Sequence, residues 1–175
     1  MNIYLTTDWH IYHDKMIEYC GRPEGFENLI FKRLRAVLKD TDVLIHLGDV
    51  TVSSGREAEA HEKFIQTLPG KHWLIRGNHD RKSNHWYLSH GWDFVAAFFQ
   101  DIYFGQNVLF SHVPMADNGY DINIHGHFHN SDHRRQEPAL LAIKNDKQHL
   151  LALEYNNYQP WNLQTLIQKR EKTGL

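Results

Sequence analysis

The chain has 175 residues, 41% of them apolar and 23% charged, with a formal net charge of −2. That size and balance belong to one soluble globular domain spanning 1–175, and they exclude a fibrous repeat or a generally disordered chain. A single cysteine, Cys20, excludes an internal disulfide framework, and the near-neutral charge gives no bulk footprint for nucleic acid or an anionic membrane.

Asn2 to Thr7 is β-branched and aromatic-rich and predicts a first strand. Residues 13–20 read as a helical turn or two, closed by Gly21 and Pro23. Asn28 is placed to cap a helix running to about Lys39. Leu29, Ile30, Leu34, Val37 and Leu38 would share its apolar face, with Lys32, Arg33 and Arg35 opposite. Val43 to Leu47 is a continuous apolar run before Gly48-Asp49, as a strand buried on both faces requires. A helix from Arg56 to Leu68 is expected to stop at Pro69-Gly70, and His72 to Arg76 is the third strand.

Beyond that point the rhythm changes. Asn84 to His90 reads as a short helix. Phe94 to Phe104, Asn107 to Ser111, Ile122 to His125 and His149 to Tyr155 read as strands in series, with Gln106-Asn107 after Gly105 as the hairpin turn. Trp161 to Lys169 predicts a last helix. Strand–helix alternation followed by serial strands predicts an α/β fold, a mixed sheet pair covered by helices. The amino terminus has no basic region ahead of a long apolar run, and no run approaches the roughly 18 apolar residues of a membrane span. A cytoplasmic protein with no membrane partner is the expectation.

Histidine is the abnormal component, with 14 copies. Neutral imidazole is both a common metal ligand and a near-neutral acid–base group. Polar ligands follow five of the predicted strands: Asp8-Trp9-His10, Gly48-Asp49, Gly77-Asn78-His79-Asp80, His112, and Gly126-His127-Phe128-His129. The carboxyl ends of strands are where an α/β fold gathers its site. Asp8 and His10 are two residues apart, so an extended backbone would aim both the same way and turn Trp9 into packing. His127 and His129 repeat that spacing around Phe128. Carboxylate, amide and imidazole donors without thiolate suit Mn²⁺, Fe²⁺ or Zn²⁺. Asp8, His10, Asp49, Asn78, His112, His127 and His129 are seven ligands, too many for one ion. Two ions sharing a bridging carboxylate would use all seven, and metals about 3.5–4 Å apart can clamp a phosphate.

The ordered set Asp-x-His, Gly-Asp, Gly-Asn-His-Asp, His and Gly-His-x-His resembles the calcineurin-like metallophosphoesterase superfamily. His13, Cys20-Gly21-Arg22-Pro23 and Glu154-Tyr155 are also similar to features of a small bacterial and phage subgroup. The resemblance implies a four-layer α/β/β/α sandwich. It implies Asp8, His10 and His129 on one ion, Asn78, His112 and His127 on a second, and Asp49 between them. Mn²⁺ is the first choice of metal, with Fe²⁺, Zn²⁺ or Ni²⁺ as alternatives. His79 would contact the phosphoryl group with Asn78 and protonate the leaving oxygen, while a water shared by the ions would attack phosphorus. A phosphodiesterase acting on a small phosphate ester is the expected activity. A phosphomonoesterase, a nuclease or a non-catalytic binding scaffold are the alternatives.

Other residues carry weaker expectations. Arg22 is a candidate phosphate fork or a solvated surface arginine. His13 either touches substrate or caps the next helix. His46 and His125 alternate away from the ligands and read as supporting core residues. Arg76 is placed to pair with a carboxylate, and Asp80 reads as structural. Cys20 reads as buried. Lys32, Arg33, Arg35 and the Arg134-Arg135 pair are material for a local nucleic-acid track.

Overall fold

The computed structural model describes residues 1–52, 55–130 and 145–173. Arg134-Arg135 lies outside the described residues. Strands β1 (Ile3–Thr6), β2 (Val43–His46), β3 (Lys71–Ile75) and β4 (Phe94–Ala96) run parallel in the order β4-β3-β2-β1. β9 (Trp161–Asn162) adds antiparallel to β1. The second sheet has the order β5-β6-β7-β8, from β5 (Phe98–Tyr103), β6 (Gln106–Ser111), β7 (Ile122–His125) and β8 (Gln148–Leu150). Its first pair is antiparallel and the rest parallel, so both sheets are mixed. Helices α1 (Lys15–Cys20), α2 (Phe26–Val37), α3 (Glu57–Lys63), α4 (Asn84–Leu88) and α5 (Leu163–Thr173) flank the sheets. This is the expected α/β/β/α sandwich.

Strand alternation builds two cores from the two faces of the same strands. On β2, Val43 and Ile45 face the layer between the sheets, with Leu5, Ile75, Phe110 and Ile124. Leu44 faces the helices, with Trp9, Phe31, Leu34 and Leu74. That is why the run is apolar throughout. Burying each such side chain stabilises the fold by roughly 1.5–3 kcal/mol.

Local structure departs from the sequence pattern where the chain turns. α2 begins at Phe26 rather than after Asn28, because Gly25 takes the left-handed conformation (φ 67°) and starts the helix earlier. Leu38 then swings to extended backbone, leaving Val37 exposed. The expected helix from Arg56 to Leu68 breaks at Phe64 (φ −112°) into α3 and a 3₁₀ turn, Ile65–Thr67. The run from Phe94 to Phe104 is two strands rather than one. β4 closes the first sheet and β5 opens the second, a crossing that uniform apolarity conceals. The hairpin turn is Phe104-Gly105 (φ 52° and 80°), while Gln106 and Asn107 already pair in β6. Two successive left-handed residues match the twist of a tight hairpin. The expected strand from His149 to Tyr155 stops at Leu150, and a 3₁₀ turn follows at Leu153–Asn156. The predicted last helix loses Trp161 and Asn162 to β9. Among the described residues, no helix is long and apolar enough to cross a membrane.

Candidate metal centre

Every strand that delivers a candidate ligand does so at its carboxyl end. Asp8 and His10 follow β1, Asp49 follows β2, Asn78 and His79 follow β3, His112 follows β6, and His127 and His129 follow β7. The route differs from the expected extended segments. Asp8, His10, Asp49, His127 and His129 have φ of 51°, 49°, 62°, 75° and 51°, all left-handed. Non-glycine residues hold that conformation at a cost of order 1–3 kcal/mol each, and such strain clusters at functional sites. Backbone bonds stabilise it: Asp8 N–H donates to the Gly48 carbonyl (2.8 Å) and His10 N–H to that of Asp49 (3.1 Å). Trp9 and Phe128 are nevertheless turned into packing, as expected.

Two groups of ligand atoms converge. Asp8, His10 and His129 form one, and Asp49, His112 and His127 the other. In the first, His10 Nε2 and His129 Nε2 lie 3.2 Å apart, and each is within 3.8 Å of Asp8 Oδ1. In the second, His112 Nε2 lies 3.1 Å from His127 Nδ1 and 3.1 Å from Asn78 Oδ1. Asp49 Oδ2 reaches both, 3.4 Å from His112 Nε2 and 3.7 Å from His10 Nε2. The seven expected ligands therefore meet in one place.

Hydrogen bonds leave the right atoms for cations. Asp8 Oδ2 accepts from the Thr7 hydroxyl (2.5 Å) and His127 N–H (2.9 Å), while buried Oδ1 has no partner. His112 Nδ1 donates to the Leu47 carbonyl (2.7 Å), so Nε2 is the nitrogen aimed inward, where a cation would take the place of its proton. Burial pushes the His112 pKa down, yet its hydrogen bond to Asp49 and the Asp8 and Asp49 charges raise it to about 9. A site that binds a proton so firmly against burial favours positive charge. This set of carboxylate, amide and imidazole donors thus fits divalent cations.

The loops leave no spare volume. A Cβ at Gly77 would lie 2.6 Å from the Asp49 nitrogen and closer still to its carboxylate. A Cβ at Gly126 would collide with the Thr7 hydroxyl and the Asp8 carboxylate. Asp80 ties two ligand loops together. Its Oδ2 accepts from Asp49 N–H (2.7 Å) and Gly77 N–H (2.8 Å), its Oδ1 from Val50 N–H (3.1 Å). Burial, then the Asp49 charge, pushes its pKa up to about 7.

At the rim, His79 is 29% exposed, its Nε2 lies 3.9 Å from Asp49 Oδ2, and its ring packs edge-on against His10. Its N–H donates to Asp49 Oδ1 (2.9 Å). Asn78 is exposed. A cavity of about 160 Å³ adjoins His79, lined by Glu57, Arg81, Lys82 and Tyr87. A larger one of about 460 Å³ lies elsewhere, among His149, Trp161 and Arg170, and holds none of the candidate ligands.

This chain belongs to the calcineurin-like phosphoesterase family. The family model matches residues 1–167. The chain is 30% identical to the uncharacterized protein MJ1445 of Methanocaldococcus jannaschii, over 97% of this chain and 92% of that one. It is also similar to the crystal structure of the protein of unknown function AQ665 from Aquifex aeolicus. There the TM-score is 0.74 and the identity 26%, over 95% of this chain and 98% of that one. As a calcineurin-like phosphoesterase the protein is a metal-dependent hydrolase of phosphate esters and uses divalent metal ions.

Several expectations need correction. Arg22 is not a surface fork for phosphate: its side chain is wholly buried and turned inward. Its Nη1 donates to the Trp9 carbonyl (2.9 Å), Nη2 to the Asp8 carbonyl (2.8 Å), and Nε to Glu154 (2.8 Å). His13 does not cap α1, since Asp14 holds that position. Its half-buried ring lies 5.7 Å from that of His10, on the rim beside His79. Arg76 meets the Lys82 carbonyl (3.4 Å) rather than a carboxylate. His46 accepts from Gly48 N–H (3.0 Å), and His125 meets the Gly126 carbonyl (3.0 Å). Glu154 was legible only as part of the resemblance. Its Oε1 lies 3.5 Å from His129 Nδ1. Burial pushes its pKa up, but His129 and the Arg22 guanidinium hold it at about 2.

Proposed function

We propose that residues 1–175 act as one domain with a dinuclear centre, a phosphodiesterase whose proton donor is His79. The observation that carries this reading is a pair of ligand groups sharing Asp49, with His79 at their rim. Asp8, His10 and His129 would hold one ion, Asn78, His112 and His127 the other, and Asp49 both. Mn²⁺ suits this oxygen- and imidazole-rich set. When bound, the metals supply Lewis-acid charge that polarises the phosphate and acidifies a water.

The chain's own groups do the rest. Asn78 and His79 face solvent at the rim, where an incoming phosphate meets them first. The Asp49 carboxylate accepts from the His79 backbone and lies beside its ring, which orients the ring, with the proton it carries, at the rim. His79 gives that proton to the leaving oxygen as the P–O bond breaks, so the departing group leaves as a neutral alcohol. His13, next to His10 and on the same rim, contacts a substrate oxygen. The cavity of about 160 Å³ beside His79 offers room for a second ester substituent, and that supports a diester over a monoester.

Hydrolysis of a chromogenic bis-phosphodiester, beside its monoester counterpart, tests this. Chelation should abolish turnover and Mn²⁺ should restore it, with the diester faster. Full activity after verified removal of metal overturns the metal reading. Faster monoester turnover overturns the diester preference alone.

A further inference from the structure

We propose that Glu154 and Arg22 are a positioning pair for one half of the centre: they fix the His129 ring and the Asp8-Trp9 backbone, and so set the affinity of the first ion. The inference rests on the dinuclear reading above. Glu154 stands on the 3₁₀ turn Leu153–Asn156, far along the chain, yet its side chain is 5% exposed and lies against His129. Arg22 follows α1, and its side chain is 0% exposed. One guanidinium thus joins two segments directly, the bend after β1 through two carbonyls and the 3₁₀ turn through Glu154. Glu154 carries the link on to the loop after β7, with Oε1 3.5 Å from His129 Nδ1.

The chemistry of this pair differs from a plain clamp. With Glu154 facing Nδ1, His129 carries its proton there, and Nε2 is left as a lone pair beside Asp8 Oδ1 and His10 Nε2. A carboxylate behind a ligating imidazole fixes its tautomer and raises its basicity, and losing such a partner typically weakens metal binding 10- to 100-fold. The other half has no such carboxylate behind His112, whose Nδ1 donates to a neutral carbonyl. Cys20, His129 and Glu154 also come close enough to be a third ligand group. The Arg22 cation already neutralises Glu154 there, so the group orients a ligand rather than binding an ion.

Two measurements decide the matter. Nitrogen-15 NMR of the Zn²⁺-loaded protein should show His129 protonated at Nδ1, whereas protonation at Nε2 overturns the proposal without any variant. Calorimetric titration of metal-stripped protein with Mn²⁺ should show two binding events. Glu154→Gln should weaken one of them 10- to 100-fold and leave the other within about threefold. The Gln carbonyl still accepts from Arg22, so the guanidinium is not orphaned. Arg22→Lys, which keeps the charge and loses the fork, should weaken the same event to a smaller degree. Equal weakening of both events, or of neither, overturns the proposal. Wild-type protein that binds fewer than two Mn²⁺ fails the dinuclear reading, and this inference with it.

Discussion

The two halves of the centre are built from similar ligands and sit in different surroundings. Asp8, His10 and His129 are 1–3% exposed, braced from behind by Arg22 and Glu154. Across Asp49, the other half has His127 half-buried, Asn78 exposed and His79 at the rim. The sealed half has a carboxylate of its own, and the open half borrows the shared one. One side is built for holding and the other for access. Under the function proposed above, substrate and proton traffic would run on the side of Asn78 and His79, where water reaches the loops.

The largest effect should come from removing what the halves share. Asp49 is the carboxylate that reaches both groups, and its pKa lies well below the usual range. Burial would raise it, but His112 and His10 hold it down. Asp49→Asn keeps the shape and removes the charge. Both Mn²⁺ affinities should fall by more than the roughly 10- to 100-fold typical of an outer partner, and turnover should collapse with them. Elemental analysis after dialysis checks this. Two metals retained per chain would mean that the halves are independent.

Next comes a change confined to the open half. His79→Ala should leave metal content near normal while turnover falls by roughly 10²–10⁴, the usual contribution of a positioned proton donor. The loss should shrink for nitrophenolate, a leaving group that hardly needs a proton, and be full for an alkoxide. Loss of a metal, or equal slowing of both substrates, would make His79 a ligand or an electrostatic stabiliser instead.

The open half and the sealed half were legible in the sequence to different degrees. The residues that converge were readable as candidates, because short polar motifs after apolar runs mark strand ends whatever the turn geometry. The turn geometry was not readable. Spacing of two residues suggested extended backbone for Asp8-His10 and His127-His129, and the structure uses left-handed residues instead. The brace behind the sealed half was hidden for a different reason. Arg22 beside Pro23 has the sequence look of a surface arginine, and its partner is 132 residues away. Long-range pairing leaves no periodic trace. The same blindness joined β4 to β5, since an apolar run does not say which sheet it serves.

The smallest expected effect contrasts imidazoles of the centre with imidazoles of the core. His61 sits on α3 among Trp86, Tyr87, His90 and Trp92, with Nδ1 on the Glu57 carbonyl (2.7 Å). Unlike His112, it faces no carboxylate side chain within hydrogen-bonding reach among the described residues. Burial dominates and holds its pKa at about 4, below the ordinary 6.5 of a histidine. The folded state therefore binds this proton less well than the unfolded chain. Its contribution to stability is fully present above about pH 6.5 and is lost as pH falls toward 4. By linkage the loss at pH 5 is about 2 kcal/mol. Metal-free protein should melt several degrees lower at pH 5 than at pH 7. His61→Leu removes this proton-binding site, so its melting temperature should fall less between the same two pH values. An unchanged slope in the variant would place the acid sensitivity in other buried histidines, such as His46 and His125, whose pKa burial also lowers.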